Sequence, residues 1–326
     1  MIISKTPLRI SFTGGGSDLP QYFNQNDGAV LSSTINKYIY VLVNKKYDDK
    51  ILLSYSRKEN ISDVSKIKHK ILKETLKHFK IKKSLEIASI ADIPSKGSGL
   101  GSSSAFTNGL VLALSKYKQL SIGKKELAHL SSYIEIKKCN HTIGFQDQYA
   151  TSYGNLNLIE FSKKKISIRK LKCKDNTIKK LQDNILLFDT NIKRNASDIL
   201  KNQVKNIQKN SNINEYMKRM VDLTYMLYND LSNNNISNFG EILDENWNLK
   251  KRLSSNISNK YIDHYYSLAK KNGALGGKLL GAGKGGYLMI YAKKNNHIKI
   301  IRSLNFLKNL NIKFEKKGSE IIFSNE

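Results

Sequence analysis

The residues with the clearest chemical potential form a glycine- and serine-rich segment between positions 94 and 105. Its glycines allow left-handed backbone angles and leave no Cβ to block a close anion. Its serines stand at the start of an apolar helix, whose first free N–H groups and positive dipole end attract negative charge. The segment predicts a phosphate cradle, and the alternative is a plain serine-capped turn. The predicted phosphate contacts are Pro94, Gly97, Ser98, Gly99, Leu100, Gly101, Ser102, Ser103 and Ser104.

Two acidic residues further along the chain can act together with such a cradle. Asp147 lies between a predicted helix and a predicted strand, where a carboxylate can accept a hydroxyl proton. Glu135 lies on the preceding predicted helix between two isoleucines, within reach of the serines. A carboxylate and a serine hydroxyl supply the oxygen ligands that Mg²⁺ prefers. For either acid alone a cap or a surface charge is the simpler interpretation, and their occurrence beside a phosphate loop favours catalysis.

The N-terminal strand ends in a second group of polar residues. Arg9 follows Pro7 in a predicted strand that runs into three glycines at 14–16. By itself, Arg9 would be an exposed strand cation. Asp18 comes directly after this glycine run and Ser17. It is predicted either to act as a turn or N-cap residue for a short helix or to accept hydrogen bonds from sugar hydroxyls.

A second glycine loop, residues 281–286, has the spacing G-x-G-x-x-G. A dinucleotide-binding loop lies between a strand and a helix, whereas a β-type run follows this one. Neither Lys278 nor Lys284 is followed by Ser or Thr, which excludes a Walker A loop. We predict a flexible loop that lets the backbone approach a ligand or another loop closely, with a hairpin connection as the alternative.

Composition excludes several classes of protein. The net charge of +28 on 326 residues is compatible with a polyanion partner, but the lysines are scattered and not interleaved with aromatic residues, so we predict no nucleic-acid partner. Cys139 and Cys173 are the only cysteines, and they indicate neither a disulfide scaffold nor a zinc site. The N-terminus lacks a signal-peptide pattern and no run is long enough to cross a bilayer, so we predict a cytoplasmic protein without membrane contact.

The patterns along the chain predict an α+β protein with two lobes, residues 1–175 and 176–326. The second lobe is predicted to end in a β-α-β-β unit. Predicted strands cover 2–12, 38–43, 51–55, 85–90, 156–161, 185–189, 287–291, 312–315 and 320–323. Predicted helices cover 66–79, the segment after 101, 124–139, the long region 197–268 and 297–310.

Three segments in fixed order resemble the GHMP kinase superfamily: residues 7–9 with 14–16, residues 94–105, and residues 278–287. The resemblance implies a two-lobed α+β fold, with the ATP loop at a helix N-terminus in a β-rich first lobe and a ferredoxin-like second lobe. It also implies ATP and Mg²⁺ as cofactors, with Ser103 and Glu135 at the metal. Asp147 would be the base, and Arg9 would hold it ionised and stabilise charge.

Within the superfamily, residues 13–20 resemble the sugar 1-kinases, and the best match is to the D-glycero-D-manno-heptose 7-phosphate kinases. The resemblance implies transfer from ATP to the anomeric hydroxyl of the heptose 7-phosphate, for nucleotide-activated heptose used in surface polysaccharide. The implied partners are the two small-molecule substrates, and the chain is expected to be a monomer or homodimer. The implied substrate contacts are Gly15, Gly16, Ser17, Asp18 and Gly283, with Lys193 and Arg194 at the 7-phosphate.

Four alternatives stay open at this point. An L-fucose-type or other sugar 1-kinase and a mevalonate-pathway kinase share the motifs. A catalytically silent sugar sensor would share the fold but needs no base. A nucleic-acid-binding protein would show strongly salt-dependent DNA binding.

Overall fold

The computed structural model describes residues 1–94, 97–192, 196–209 and 211–325. Within these residues the strands form two sheets, and helices pack against both. The strands are β1 (Ile2–Thr13), β2 (Gly28–Lys45), β3 (Ile51–Ser54), β4 (Lys58–Ile61), β5 (Leu85–Ala91), β6 (Leu156–Phe161), β7 (Ile166–Lys170), β8 (Ile185–Asp189), β9 (Gly276–Leu279), β10 (Tyr287–Tyr291), β11 (Lys308–Asn309) and β12 (Glu320–Ser324).

The α-helices alternate with these strands in the first half of the chain and follow one another after β8. They are α1 (Pro20–Phe23), α2 (Lys70–His78), α3 (Ser102–Tyr117), α4 (Lys124–Ser132), α5 (Gln146–Tyr153), α6 (Asp175–Asp183), α7 (Ala196–Lys209), α8 (Ser211–Ser232), α9 (Phe239–Arg252), α10 (Lys260–Lys271) and α11 (Lys294–Ser303). A 3₁₀ turn covers Val64–Lys66, and a π-helical segment covers Tyr133–Lys138.

The larger sheet has the order β12-β1-β2-β5-β3-β4, and β6 and β7 extend it from the first half of β2. Among the described strands of this sheet, only the β3–β5 pair is parallel. Helix α3 crosses it closely, because the Ser4 hydroxyl donates a 2.7 Å hydrogen bond to the Gly109 carbonyl. A Cβ at Gly109 would lie 3.1 Å from that same hydroxyl oxygen. The small residue therefore lets the helix that follows the serine run sit directly on β1.

The smaller sheet has the antiparallel order β11-β8-β10-β9. Numbered along the chain, these four strands stand in the order 4-1-3-2. With helices between the first and second and between the third and fourth strands, this is the ferredoxin-like arrangement. The predicted α+β fold with a ferredoxin-like second lobe is thus confirmed.

The two sheets are joined by one continuous hydrophobic core. Phe12 on β1 meets Phe239 on α9 edge to face, with 5.3 Å between ring centroids. Strand β12 returns from the end of the chain to pair with β1. The lobe boundary at residues 175 and 176 stays a prediction, because side chains from both sheets belong to the same buried cluster.

Several predicted elements have different limits in the structure. Strand β2 is much longer than the predicted 38–43 because its two halves pair with different neighbours, β6 and β5. The predicted helix 124–139 is α-helical only to Ser132 and then π-helical. Helix α11 ends at Ser303, and the strand predicted at 312–315 contributes a single bridge from Phe314 to Ile35. Among the described residues, no helix has the length and apolar content needed to span a bilayer.

Candidate active site

The glycines of the 97–104 loop adopt the conformations that their sequence predicts. Gly97, Gly99 and Gly101 have φ angles of 78°, 77° and 75°, which non-glycine residues rarely tolerate. Gly101 caps α3, so the helix begins at Ser102 with its free N–H groups facing the loop. The Ser98 and Ser102 hydroxyls lie 2.9 Å apart inside the loop. The loop therefore presents a helix N-terminus and hydroxyls to one small space, as an anion site requires.

Arg9 lies directly beneath this loop and holds the carboxylate of Asp147. Its guanidinium donates to both Asp147 oxygens, from Nε at 2.8 Å and from Nη2 at 2.7 Å. Nη1 donates to the Gly99 carbonyl at 2.6 Å, and the Arg9 backbone N–H donates to the Leu100 carbonyl. Arg9 is 3% exposed and Asp147 25% exposed. The pair thus connects the loop to a carboxylate that a substrate can still reach, and Arg9 is not the exposed cation that its position alone suggests.

Asp147 is aligned from two directions. It belongs to the first turn of α5, where the helix dipole stabilises an anion. Helix α5 is itself tied to α3, because the Asn108 amide donates to the Gln148 carbonyl and to the Thr151 hydroxyl, each at 2.8 Å. Helix α5, which carries the carboxylate, is therefore fixed against the helix that follows the 97–104 loop.

Glu135 is fully buried beside the first turn of α3. The Ser103 hydroxyl donates to its Oε1 at 2.5 Å, and the Gln148 amide donates to its Oε2 at 2.7 Å. Burial outweighs these hydrogen bonds and raises the pKa of the Glu135 carboxyl. The side chain is aimed at the loop by the π-helical turn, whose wider bond runs from the Cys139 N–H to the Ile134 carbonyl.

The donor set around Glu135 suits Mg²⁺. One carboxylate and one hydroxyl are hard oxygen ligands, and Mg²⁺ usually completes its shell with phosphate oxygens and water. The described residues contain no group of three or more His, Cys, Asp or Glu side chains that would form a metal cage by itself. Ser103 and Glu135 therefore fit a metal that arrives with a nucleotide better than one held by protein alone.

Residues 14–18 form a tight turn opposite the 97–104 loop. The Ser17 N–H donates to the Gly14 carbonyl, and the Leu19 N–H donates to the Gly16 carbonyl. Helices of the second lobe enclose the turn. The Gly14 N–H donates to Asn246 on α9 at 3.1 Å, and a Cβ at Gly16 would meet Gln203 of α7 at 2.3 Å. The glycine run at 14–16 is therefore part of a buried, well-connected turn.

The Ser17 and Asp18 side chains stabilise this turn from inside. The Ser17 hydroxyl donates to the Gly14 and Ala29 carbonyls. Asp18 is 2% exposed, and its carboxylate accepts hydrogen bonds from the Gly16 N–H and from the backbone and side-chain amides of Gln146. Burial, and then the charge of Asp147, raise the pKa of Asp18. Asp18 connects the turn to the start of α5, and Leu19 is the N-cap of α1.

The 281–286 loop packs against the 97–104 loop, as the third motif predicts. The Tyr287 N–H donates to the Ser98 carbonyl at 3.1 Å, and a Cβ on Gly286 would meet that carbonyl oxygen at 2.4 Å. Gly283, predicted as a substrate contact, has a φ angle of 120° and lies against the backbone of Ile257. Gly283 is therefore packed against protein backbone, as in a buried turn.

Two buried lysines at the site were not predicted. Lys278 is 1% exposed and donates to the Phe12 carbonyl at 2.9 Å. Burial, and then the charges of Lys250 and Arg9, lower the pKa of Lys278 well below its usual value. Lys250 is 4% exposed and donates to the Gly281 carbonyl at 2.9 Å. The sequence offers no signal for Lys250, because a lysine on an amphipathic helix is normally at the surface.

Two predicted contacts lie outside the described residues. Lys193 and Arg194, predicted at the acceptor phosphate, belong to the undescribed segment 193–195. Pro94 is described and exposed at the entrance to the 97–104 loop. Arg9, Ser103, Glu135 and Asp147 are brought together by β1, the start of α3, the π-helical turn and the start of α5.

Comparison with known proteins identifies the family. Residues 65–155 match the GHMP kinases N terminal domain, and residues 227–308 match the GHMP kinases C terminal domain. The D-glycero-alpha-D-manno-heptose 7-phosphate kinase of Campylobacter jejuni is 32% identical, over 92% of this chain and 93% of its own. The chain belongs to the GHMP kinases.

Solved structures support the same fold. A D-glycero-D-manno-heptose 1-phosphate kinase from Bacteroides thetaiotaomicron superposes with a TM-score of 0.81, at 23% identity over all of both chains. Lactococcus lactis galactokinase, solved with galactose, has a TM-score of 0.77 at 19% identity, over 98% of this chain and 94% of its own. As a member of the family that its two domain matches and its 32% identical relative identify, the chain is an ATP-dependent phosphotransferase with an alcohol acceptor.

Proposed function

We propose that this GHMP kinase transfers the γ-phosphoryl group of ATP to the anomeric hydroxyl of D-glycero-D-manno-heptose 7-phosphate. The product would be the 1,7-bisphosphate, for nucleotide-activated heptose used in surface polysaccharide. The choice of acceptor rests on the 32% identity to the Campylobacter jejuni enzyme across nearly all of both chains. The cytoplasmic location and the monomeric or dimeric state remain predictions.

The observation that carries the chemistry is the bidentate Arg9–Asp147 pair between the 97–104 loop and the 14–18 turn. In the proposed step Asp147 takes the proton of the acceptor hydroxyl. The hydroxyl oxygen forms a bond to the γ-phosphorus, the bond from that phosphorus to the β–γ bridging oxygen breaks, and ADP leaves. Arg9 keeps the Asp147 carboxylate in one orientation, so the base needs no rearrangement during the step.

The 97–104 loop is proposed to hold the phosphates of ATP through its backbone N–H groups, the helix dipole and the serine hydroxyls. Ser103 and Glu135 would hold Mg²⁺. When bound, the ion would neutralise charge on the phosphate oxygens. Positioning and charge neutralisation supply most of the rate in such reactions.

The acceptor is proposed to lie on the 14–18 turn. Gly15 and Gly16 would contact it, while Ser17 and Asp18 act from within by holding the turn in shape. Gly283 would act by packing the 281–286 loop. Lys193 and Arg194 stay predicted at the 7-phosphate, because guanidinium and ammonium groups suit phosphate oxygens.

An ADP-release assay over a panel of acceptors tests the choice of substrate. The panel is D-glycero-D-manno-heptose 7-phosphate, the same heptose without phosphate, L-fucose, D-galactose and mevalonate. We expect the heptose 7-phosphate to have the highest kcat/KM, by at least about 10²-fold over the unphosphorylated heptose, because a lost charge-assisted phosphate contact is costly. A higher kcat/KM for any other member of the panel would refute the proposed acceptor.

A further inference from the structure

Gly15 lies at a small buried niche with polar walls. A Cβ at this position would have as its nearest atoms Lys250 Nζ at 3.2 Å, Ser11 Oγ at 3.7 Å and Gln146 Nε2 at 3.8 Å. Its φ lies outside the left-handed range, unlike those of Gly14 and Gly16. The backbone conformation therefore does not require glycine here. Glycine here brings the backbone of the turn close to an ammonium, a hydroxyl and an amide.

The same region holds several buried polar atoms without hydrogen-bond partners in the part of the chain that the structure describes. They are Ser11 Oγ, Gln146 Oε1, Asn246 Nδ2 and both amide atoms of Gln203. Ser11, Asn246 and Gln203 are all more than nine-tenths buried. An unsatisfied buried polar group is costly, so a cluster of such atoms indicates a place where a polar ligand binds.

These atoms include both donors and acceptors. Asn246 Nδ2 can only donate and Gln146 Oε1 can only accept, while the Ser11 hydroxyl can do either. A hydroxyl group also donates and accepts, so a polyhydroxylated ligand can satisfy all of them. A ligand with methyl or methylene groups at this place would leave them unsatisfied.

Lys250 is held in place at the edge of the niche. It is buried, and its donation to the Gly281 carbonyl anchors it to the 281–286 loop. Its position one helical turn after Asn246, which accepts from the Gly14 N–H, places both side chains toward the 14–18 turn. A fixed ammonium loses little side-chain entropy when it binds, so it can discriminate between acceptors.

We infer that the niche over Gly15 binds a hydroxyl oxygen of the acceptor, and that Lys250 is the specificity-determining residue that donates to it. The inference rests on the proposed sugar kinase function and deepens it, because it assigns recognition of the hydroxylated acceptor to α9 of the second lobe. Gly15 is required because any side chain would occupy the place of that oxygen.

Gly15→Ala tests the niche with the smallest possible change. The new methyl group would lie 3.2 Å from Lys250 Nζ, so the end of this flexible side chain must shift by a few tenths of an ångström and the protein should fold. We expect the KM for D-glycero-D-manno-heptose 7-phosphate to rise about 10- to 100-fold, the loss expected for a hydrogen bond to a charged group. The KM for ATP should stay within about twofold, since a twofold change is well below the effect of one hydrogen bond. Gly123→Ala is the matched control, because Gly123 is remote from the site and a Cβ there meets nothing closer than 3.7 Å.

Lys250→Met removes the ammonium and keeps most of the packed stem. The same rise in acceptor KM is expected, together with partial rescue by Lys250→Arg. Monodeoxy analogues of the acceptor provide the sharper readout. For the analogue that lacks the bound hydroxyl, Lys250→Met should cause no further loss in kcat/KM, whereas a structural role would lower kcat/KM for every analogue equally.

The outcomes separate this inference from the proposed acceptor. If the wild-type enzyme prefers L-fucose or D-galactose, the proposed acceptor is wrong, and the same variants are compared with that sugar. If it phosphorylates mevalonate and no sugar, both proposals fail. The niche is also refuted if Gly15→Ala behaves like Gly123→Ala, or if Lys250→Met raises the KM for ATP and leaves the KM for the sugar unchanged.

Discussion

Replacing Asp147 by Asn is expected to lower kcat by about 10²- to 10⁴-fold, the range that a positioned general base contributes. The amide keeps the shape of the carboxylate and can still accept from Arg9, but it cannot take a proton. The Kd for ATP should change by less than about threefold, at the lower end of the effect of a lost hydrogen bond, because no part of Asp147 belongs to the 97–104 loop. Single-turnover phosphoryl transfer and ATP titration measure the two quantities separately.

Asp175→Asn serves as the control for this substitution. Asp175 also lies in the first turn of a helix but is 90% exposed, so its loss changes a helix-end charge without touching the site. Turnover by Asp147→Asn within tenfold of wild type would refute the role of Asp147 as the base. A large loss of ATP affinity would instead assign Asp147 to binding of the nucleotide.

Replacing Glu135 by Gln is expected to weaken Mg²⁺ binding and to stabilise the protein. The apparent affinity for Mg²⁺ should fall at least about 10- to 100-fold, the cost seen even for groups that only support metal ligands. The buried neutral amide can keep both hydrogen bonds, accepting from Gln148 and donating to the Ser103 hydroxyl. It no longer pays the desolvation cost of a buried charge. Kinetics over a range of Mg²⁺ concentrations and thermal melts without Mg²⁺ check both parts.

The pH dependence of this stabilisation follows from the raised pKa of Glu135. Between the ordinary pKa of the unfolded chain, about 4.3 for Glu, and the raised pKa, the folded state binds more protons than the unfolded state. The free energy of unfolding therefore falls as pH rises through that window and stays lower above it. Gln does not titrate, so the variant should melt at a higher temperature than wild type at pH 8. The difference should shrink as pH falls toward the ordinary pKa.

An exposed glutamate provides the comparison. Glu241→Gln lies on the exposed first turn of α9. This variant should have the same Mg²⁺ dependence and the same melting temperature as the wild-type protein. If Glu135→Gln lowers the melting temperature at pH 8, the carboxylate contributes to folding and not only to metal binding. Unchanged Mg²⁺ dependence in Glu135→Gln would show that Glu135 is not a ligand of the metal.

The parts of the site that are local in sequence were predictable. The conformation of residues 97–104 follows from their own sequence, since three glycines and a helix start appear within eight residues. All three glycines are in the left-handed region in the structure. The pairing of Arg9 with Asp147 spans 138 positions, and only the resemblance to a known family suggested it. The strands and helices were likewise predicted where the pattern of apolar residues was clear, as for β8 and β10.

The rest depends on tertiary packing that no local pattern encodes. Gln203, Asn246 and Lys250 lie on amphipathic helices, where sequence shows which face is buried but not what that face meets. The π-helical turn that aims Glu135 has no signature in the residues 133–138 themselves. Strand β12 pairs with β1 because the end of the chain returns to the first sheet, and the β-type run 320–323 alone does not identify its partner.

The most direct test of the proposed function is the position of the new phosphate on the product. The enzyme is incubated with ATP, Mg²⁺ and D-glycero-D-manno-heptose 7-phosphate, and the sugar is followed by phosphorus NMR. We expect a second phosphomonoester whose phosphorus couples to the anomeric proton, with the 7-phosphate retained. A new phosphate on any other carbon, or release of inorganic phosphate without a second sugar phosphate, would contradict it.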